Sequence, residues 1–215
     1  KLNLTSPDAV LGYKDYIVNP DNYFYVGRDK RISTNLKLLA GDGAGLQLIT
    51  EDNDTTSLQN LTLSVPRFEV GELLAVLPFA PKITGVLDGD YHVVQTASDL
   101  TVSSNMTVQN MIYEDNKMGN VGMELVYIPL NDGTHFVNAL ISQNNRSIGE
   151  LSGSYKSEGE GRLEANLNMD RFPLNFINGF VPDRIVGLQG DGEGDLTVEG
   201  PLNQLKVNGE LYLDS

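Results

Sequence analysis

Apolar and polar residues alternate with a period of two along much of the chain. Between Leu61 and Val65, leucine and valine alternate with threonine and serine, and around Leu196 and Val198 every second residue is polar. The run from Leu205 to Leu213 repeats the pattern. Because successive side chains of a strand point to opposite faces, each run predicts a strand with one apolar face and one polar face.

Rougher alternation and regularly placed turn signals extend this pattern over most of the sequence. Further strands are predicted at Leu36 to Leu39, Leu46 to Thr50, Tyr91 to Val94, Leu100 to Val108, Met123 to Ile128 and Leu163 to Met169. The turn signals are Gly41 to Gly43, Glu51 to Asp54, Asn131 to Gly133, Gln143 to Arg146 and Ser157 to Gly161. Many short strands separated in this way predict a mainly β, antiparallel architecture.

Two apolar runs depart from the period of two. They span Glu69 to Leu77 and Leu174 to Val181, and a proline follows each one directly. Proline cannot continue a helix, so each run predicts a helix of about two turns that ends at the proline.

The same two runs belong to an internal repeat. Placing Arg67-Phe68 over Arg171-Phe172 aligns the apolar runs, the prolines after them and the alternating segments on either side. A unit repeated along a chain is typical of extended structures whose units bury one face against their neighbours. We therefore expect one elongated β domain over residues 1–215, built from two repeat-like units at about 1–108 and 109–215.

The C-terminal stretch has a characteristic order of residues. A glycine-rich segment from Gly190 to Asp195 leads into G-x-L-x-V-x-G, a short loop with Pro201, and then x-V-x-G-x-L-x-L ending at Leu213. This order resembles the C-terminal domain of the TamB and AsmA-like family. The resemblance is dense over residues 166–213 and fainter over 57–108.

The resemblance implies a fold, a location and a role. Proteins of this family are long envelope proteins of Gram-negative bacteria that span the periplasm, and an N-terminal helix anchors them in the inner membrane. Their strands form a β-taco, a half-pipe with an apolar concave face. They are implicated in phospholipid transfer to the outer membrane and, with an Omp85-type partner, in outer-membrane protein assembly. The resemblance thus implies a fragment of a longer protein, with phospholipid or unfolded outer-membrane protein as cargo.

Alternation by itself leaves two architectures open. An apolar sheet face must be covered by helices, by a second sheet or by curling of the sheet, and two short helices cover too little. A curled sheet leaves an apolar groove for lipid or other cargo, whereas two packed sheets form a closed β-sandwich or solenoid that serves as a structural, adhesive or glycan-binding module. The groove residues predicted by phase are Leu61, Leu63, Leu196, Val198, Val207, Leu211 and Leu213.

Charge and cysteine content remove several classes of function. The 15 Lys and Arg residues against 29 Asp and Glu residues give a net charge of −14. Phosphate backbones and anionic headgroups repel such a chain, so we expect no nucleic-acid partner. The chain contains no Cys. Disulfides and thiolate nucleophiles are therefore excluded.

Catalytic and metal-binding patterns find no support in the residues. The chain has two histidines, His92 and His135, and neither has the spacing of a metal ligand pair. There is no G-x-S-x-G nucleophile elbow. The segment Gly190 to Asp195 lacks the downstream glutamate of a calcium loop, so we interpret it as a tight turn. We expect a non-enzymatic chain with no catalytic residues, no metal site and no cofactor.

Overall fold

The computed structural model describes residues 2–5, 8–11, 14–51, 53–71, 82–159, 161–178, 189–201 and 203–214. Within these residues the chain forms fourteen strands and one short helix. The elements are β1 (Asp8–Leu11), β2 (Lys14–Val18), β3 (Tyr23–Val26), β4 (Ile32–Leu39), β5 (Gly45–Thr50), β6 (Gln59–Glu69), β7 (Ile83–Gln95), β8 (Leu100–Tyr113), β9 (Asn116–Pro129), β10 (Thr134–Gln143), β11 (Arg146–Lys156), β12 (Arg162–Pro173), α1 (Asn175–Asn178), β13 (Asp191–Pro201) and β14 (Lys206–Asp214).

All strands belong to one antiparallel sheet. Thirteen of them follow one another in chain order along the sheet, and β3 pairs beside this path with β4. The sheet is curved and open, and it does not close into a barrel. The predicted elongated half-pipe with an apolar concave face is confirmed, and the alternative of a closed sandwich is not the architecture that the chain adopts.

The open shape leaves an unusually large surface. The accessible area is 13981 Å², whereas a compact monomer of this mass exposes about 9,800 Å². The excess arises because no second layer from the described residues covers most of the sheet.

The two strand phases define two faces of different exposure. In β10, Ala139 is 3% exposed, whereas Phe136 and Leu140 on the other phase are 42% and 47% exposed. The less exposed phase lies on the inside of the curve, where neighbouring side chains converge. We call this side the concave face and the other side the convex face.

Three bulges keep apolar residues on the concave face near one end of the sheet. The register shifts between Val65 and Phe68, between Met169 and Phe172, and between Val108 and Met111. One residue in each bulge has a positive φ, namely Arg67, Arg171 and Asn110. A bulge places an extra residue in the strand, so residues three apart in sequence share a face.

The helix α1 lies on the concave face at this end, which we call the helix end. Phe176 of α1 packs between Tyr113 and Phe172, with ring centroids 5.4 Å and 5.6 Å away. The Tyr113 hydroxyl donates a hydrogen bond to the Phe176 carbonyl at 3.3 Å. Phe172 forms a buried cluster with Ile148 and Met169, and Phe176 packs against this cluster. The helix therefore caps one end of the trough, and we call the opposite end the far end.

The predicted helices are only partly within the described residues. The second contains α1, and its remainder to Val181 lies outside the described residues. The first begins at Val70 and Gly71, after β6 has continued through Glu69, and its remainder also lies outside them.

The prediction of a tight turn at Gly190 to Asp195 was wrong. From Asp191 onward the segment forms the first half of β13, paired with both β12 and β14. A Cβ on Gly192 would lie 2.8 Å from Leu174 Cδ2, and one on Gly194 would lie 2.0 Å from the Glu210 carbonyl oxygen. The glycines are therefore explained by close packing and by a positive φ at Gly194 rather than by a chain reversal.

Candidate functional site

A continuous row of concave side chains crosses the sheet from Leu61 to Val207. Each member is the register partner of the next, so the row runs along the hydrogen-bonding direction. The row consists of Leu61, Val93, Val102, Tyr127, Val137, Gly153, Ala165, Val198 and Val207. It takes one residue from every strand between β6 and β14. We call it the far row because it lies nearer the far end.

A second row runs parallel to the first, two residues closer to the helix end. Its members from β5 onward are Leu48, Leu63, Tyr91, Ser104, Leu125, Ala139, Leu151, Leu167, Leu196 and Gly209. We call it the middle row. Together the two rows form a band of side chains that no other element of the described chain covers.

The structure brings the seven predicted groove residues onto one face. The far row contains Leu61, Val198 and Val207, the middle row contains Leu63 and Leu196, and Leu211 and Leu213 lie closer to the helix end opposite Gly194 and Gly192.

These residues differ in how much of their surface is accessible. Val207 and Leu213 on the last strand are 63% and 62% exposed. Leu196 and Leu211 pack against the cluster of Ile148, Met169 and Phe172, so they also support the fold. Leu61 and Leu63 are half-buried. Leu63 also packs against the cluster of Val65, Val70 and Leu87.

Charge is segregated between the two faces. Neither the far row nor the middle row contains Asp, Glu, Lys or Arg. On the convex face, the row one residue from the middle row toward the helix end carries carboxylates on Asp90, Glu124, Glu150, Asp195 and Glu210. The two surfaces of a single sheet therefore offer opposite chemistry, hydrocarbon inside the curve and negative charge outside it.

Ser104 in the middle row carries a buried hydroxyl group. Its Oγ is buried and has no hydrogen-bond partner in the described chain, which is costly for a hydroxyl. The neighbouring Tyr91 donates its hydroxyl to Met106 Sδ at 3.6 Å, and burial raises the pKa of the Tyr91 phenol. The centre of the trough thus offers its own polar groups few partners.

Two of the concavities in the described chain lie near the rows, one on each face of the sheet. The convex one, of about 620 Å³, is lined by Asp90, His92, Glu124, Asn138 and Glu150 among others, and His92 Nε2 lies 2.7 Å from Asn60 Oδ1. The concave one, of about 470 Å³, is lined mostly by carbon atoms of β9 to β12. Its ring polar groups come from Tyr127, His135 and Tyr155. The sequence analysis considered His135 only as a metal ligand, which it excluded, and did not consider the two tyrosines.

The sequence carried a partial signal for these three residues. Tyr127 shares its phase with Met123 and Leu125 in a predicted strand, so its inward position followed from the alternation. His135 and Tyr155 lie on β10 and β11, which the alternation did not predict.

Within the described ranges, no cluster of three His, Asp or Glu side chains could hold a metal ion. None of the helices in those ranges is long and apolar enough to cross a membrane. Comparison of the chain with protein-family models, curated proteins and solved structures found no match.

Proposed function

We propose that this chain is a non-enzymatic periplasmic segment of a TamB-like envelope protein that carries acyl chains along its concave face. The observation that supports this is the pair of parallel rows, which cross nine strands without a Lys, Arg, Asp or Glu side chain. Apolar surface left uncovered on this scale is typical of a binding surface. The resemblance over residues 166–213 adds phospholipid as the cargo class and an Omp85-type protein as the outer-membrane partner.

Hydrocarbon fits this surface better than polypeptide does. The backbone amides and carbonyls of the concave floor are already paired within the sheet ladders. An extended peptide lying across the floor would bury its own amides and carbonyls without partners, at a cost of about 1–3 kcal/mol each. Each buried methylene of an acyl chain instead contributes about 0.8 kcal/mol. The floor therefore selects for lipid tails over unfolded outer-membrane protein.

The negative convex face supports the same role. Its carboxylates stay hydrated while the opposite face remains apolar, so an open sheet of this size remains soluble. A phospholipid that lies in the trough would keep its headgroup at the rim and its tails on the two rows.

Photocrosslinking tests the proposal directly. A photoreactive amino acid replaces Leu196 in the chain exported to the periplasm of a Gram-negative host, and the adducts are identified by mass spectrometry. The matched control carries the probe at Thr197, the adjacent residue on the convex face. A second pair at Leu211 and Glu210 repeats the comparison on β14.

We expect phospholipid adducts at Leu196 and Leu211 and none at Thr197 and Glu210. Adducts to Ile148, Met169 or Phe172 are also expected at Leu196 and Leu211, because both side chains pack against this cluster. Phospholipid adducts at none of the four positions, or equally at all four, would overturn the proposal.

A further inference from the structure

The concave cavity on β9 to β12 is a defined pocket within the trough, which we call the tyrosine–histidine pocket. Its floor is formed by Gly153 and Ala165, register partners that lie between bulkier neighbours. A Cβ on Gly153 would lie 3.2 Å from the Ala165 Cβ, so the floor is close-packed backbone with very short side chains. Leu151, Val137 and Leu163 form apolar walls. The small residues make the band deeper here than on the strands around it.

Three aromatic side chains stand at the polar side of this pocket. The Tyr127 hydroxyl lies 2.8 Å from His135 Nδ1, and the two rings are stacked with centroids 6.0 Å apart. The Tyr155 ring lies on the other side of the imidazole, 5.9 Å away. They come from three adjacent strands, so the sheet ladder fixes their spacing.

This arrangement leaves hydrogen-bond donors for a ligand. When the Tyr127 hydroxyl donates to Nδ1, the imidazole proton is on Nε2, which is then a free donor. When Nδ1–H donates instead, the Tyr127 O–H is the free donor. The Tyr155 hydroxyl supplies a second donor in either case.

The donors are neutral, and the pocket lining contains no Lys, Arg, Asp or Glu. A carboxylate or phosphate group buried in such a lining would lack a countercharge, and the net charge of −14 would further repel it. A neutral acceptor next to a hydrocarbon chain matches both parts of the pocket. The ester carbonyl of an acyl glycerolipid has this chemistry.

We infer that the tyrosine–histidine pocket binds the ester end of an acyl glycerolipid, with the carbonyl oxygen accepting from His135 or Tyr155 and the acyl chain lying over Gly153 and Ala165. This inference rests on the proposed function, because it assigns one fixed position to cargo that otherwise contacts only carbon.

A pair of lipids that differ only at the carbonyl tests the inference. The probes are palmitoyl lysophosphatidylcholine with an ester linkage and its ether-linked counterpart with the same chain and headgroup, both below their micelle concentrations. Binding to the 215-residue chain is measured by isothermal titration calorimetry. We expect the ester lipid to bind about fivefold more tightly, which corresponds to one neutral hydrogen bond.

The variants Tyr155→Phe and His135→Phe keep a flat ring and remove a donor, and at least one of them should bring the ratio of ester to ether affinity toward one. Tyr212→Phe is the matched control, because Tyr212 is 67% exposed on the convex phase of β14. It should keep the fivefold ratio. Circular dichroism checks that each variant keeps its strand content.

The outcomes separate this inference from the proposed function. Equal affinity for ester and ether lipids in the unmodified chain would overturn the pocket assignment and leave the lipid-carrying role standing. A fivefold ratio that survives in both pocket variants would also overturn it. Binding of neither lipid would contradict the proposed function itself.

Discussion

Arg67 and Arg171, 104 residues apart, adopt the same left-handed backbone conformation, with φ of 50° and 49°. Each is followed by a phenylalanine that returns to the concave face, and each lies opposite a carboxylate. Asp88 Oδ1 accepts a hydrogen bond from the Arg67 amide at 3.0 Å, and Glu193 lies 3.9 Å from the Arg171 guanidinium. The two halves of the sheet therefore repeat one bulge, at the positions that the alignment of Arg67-Phe68 with Arg171-Phe172 brings together.

The bulge conformation predicts how Arg67 can be substituted. A β-branched residue is strained at positive φ, so Arg67→Val should lower the free energy of unfolding by about 1–2 kcal/mol. Arg67→Gly should change it by less than about 1 kcal/mol, because glycine accepts this φ. Urea denaturation measures both. Arg162→Val, on a strand residue outside the positive-φ set, is the control, and an equal loss in Arg162→Val and Arg67→Val would contradict the prediction.

The helix-end cluster predicts a large effect at Phe172. This side chain is 6% exposed and packs against Phe176 of α1. Phe172→Ala should lower the free energy of unfolding by about 3 kcal/mol or more. Phe136→Ala, on the convex face, should cost less than about 1 kcal/mol. Similar losses in the two variants, measured by urea denaturation, would show that Phe172 does not anchor a core.

The far row predicts that one charge interrupts lipid binding. Val198→Asp places a carboxylate between the hydrocarbon side chains of Ala165 and Val207, where cargo would have to desolvate it. We expect at least a tenfold loss of affinity for a fluorescent phospholipid. Thr197→Asp makes the same change on the convex face and should leave the affinity within about twofold. Equal affinities in the two variants would place the lipid elsewhere.

The loop between β5 and β6 predicts acid sensitivity. Side-chain hydrogen bonds from Ser57, Asn60 and Thr56 hold the pKa of the Asp54 carboxyl well below its ordinary value. In the unfolded chain the Asp54 carboxyl has a pKa of about 4. The stabilisation is therefore present above that pH and is lost as the pH falls toward the lower folded pKa.

Urea midpoints measured from pH 7 down to pH 2 should thus fall more steeply for the unmodified chain than for Asp54→Asn. Thr56→Ala removes one donor and should give an intermediate slope. Parallel curves for all three proteins would rule out a contribution from Asp54.

The alternation predicted the face on which a residue lies better than it predicted the individual strands. Strict period-two runs such as Leu61 to Val65 gave both a strand and its inward phase, and the seven groove residues share the concave face for this reason. β10 was not predicted because Phe136 and Leu140 place apolar side chains on the convex phase as well, so apolar and polar residues do not alternate there. β11 escaped because Gly149 and Gly153 occupy its inward phase in place of larger apolar residues.

The tyrosine–histidine pocket could not be predicted from the sequence for a related reason. Its polar groups come from β9, β10 and β11, and only the sheet register brings Tyr127, His135 and Tyr155 together. Glycine occurs both in turns and where strands pack closely, and the sequence alone does not show which of the two applies. It serves a turn at Gly41 to Gly43 and close strand packing at Gly192 and Gly194.

The direction of the far row has a kinetic consequence. The row advances by one strand spacing, about 4.8 Å, at each register partner, and over nine strands it extends about 38 Å. Cargo lying on it would exchange one set of uncharged side chains, mostly valine and leucine, for the next set at each step. Because successive positions are close in energy, no single step requires the cargo to leave the surface. Sliding along the sheet would then have low free-energy barriers. The lowest-energy position would be where the short side chains of Gly153 and Ala165 make the band deeper.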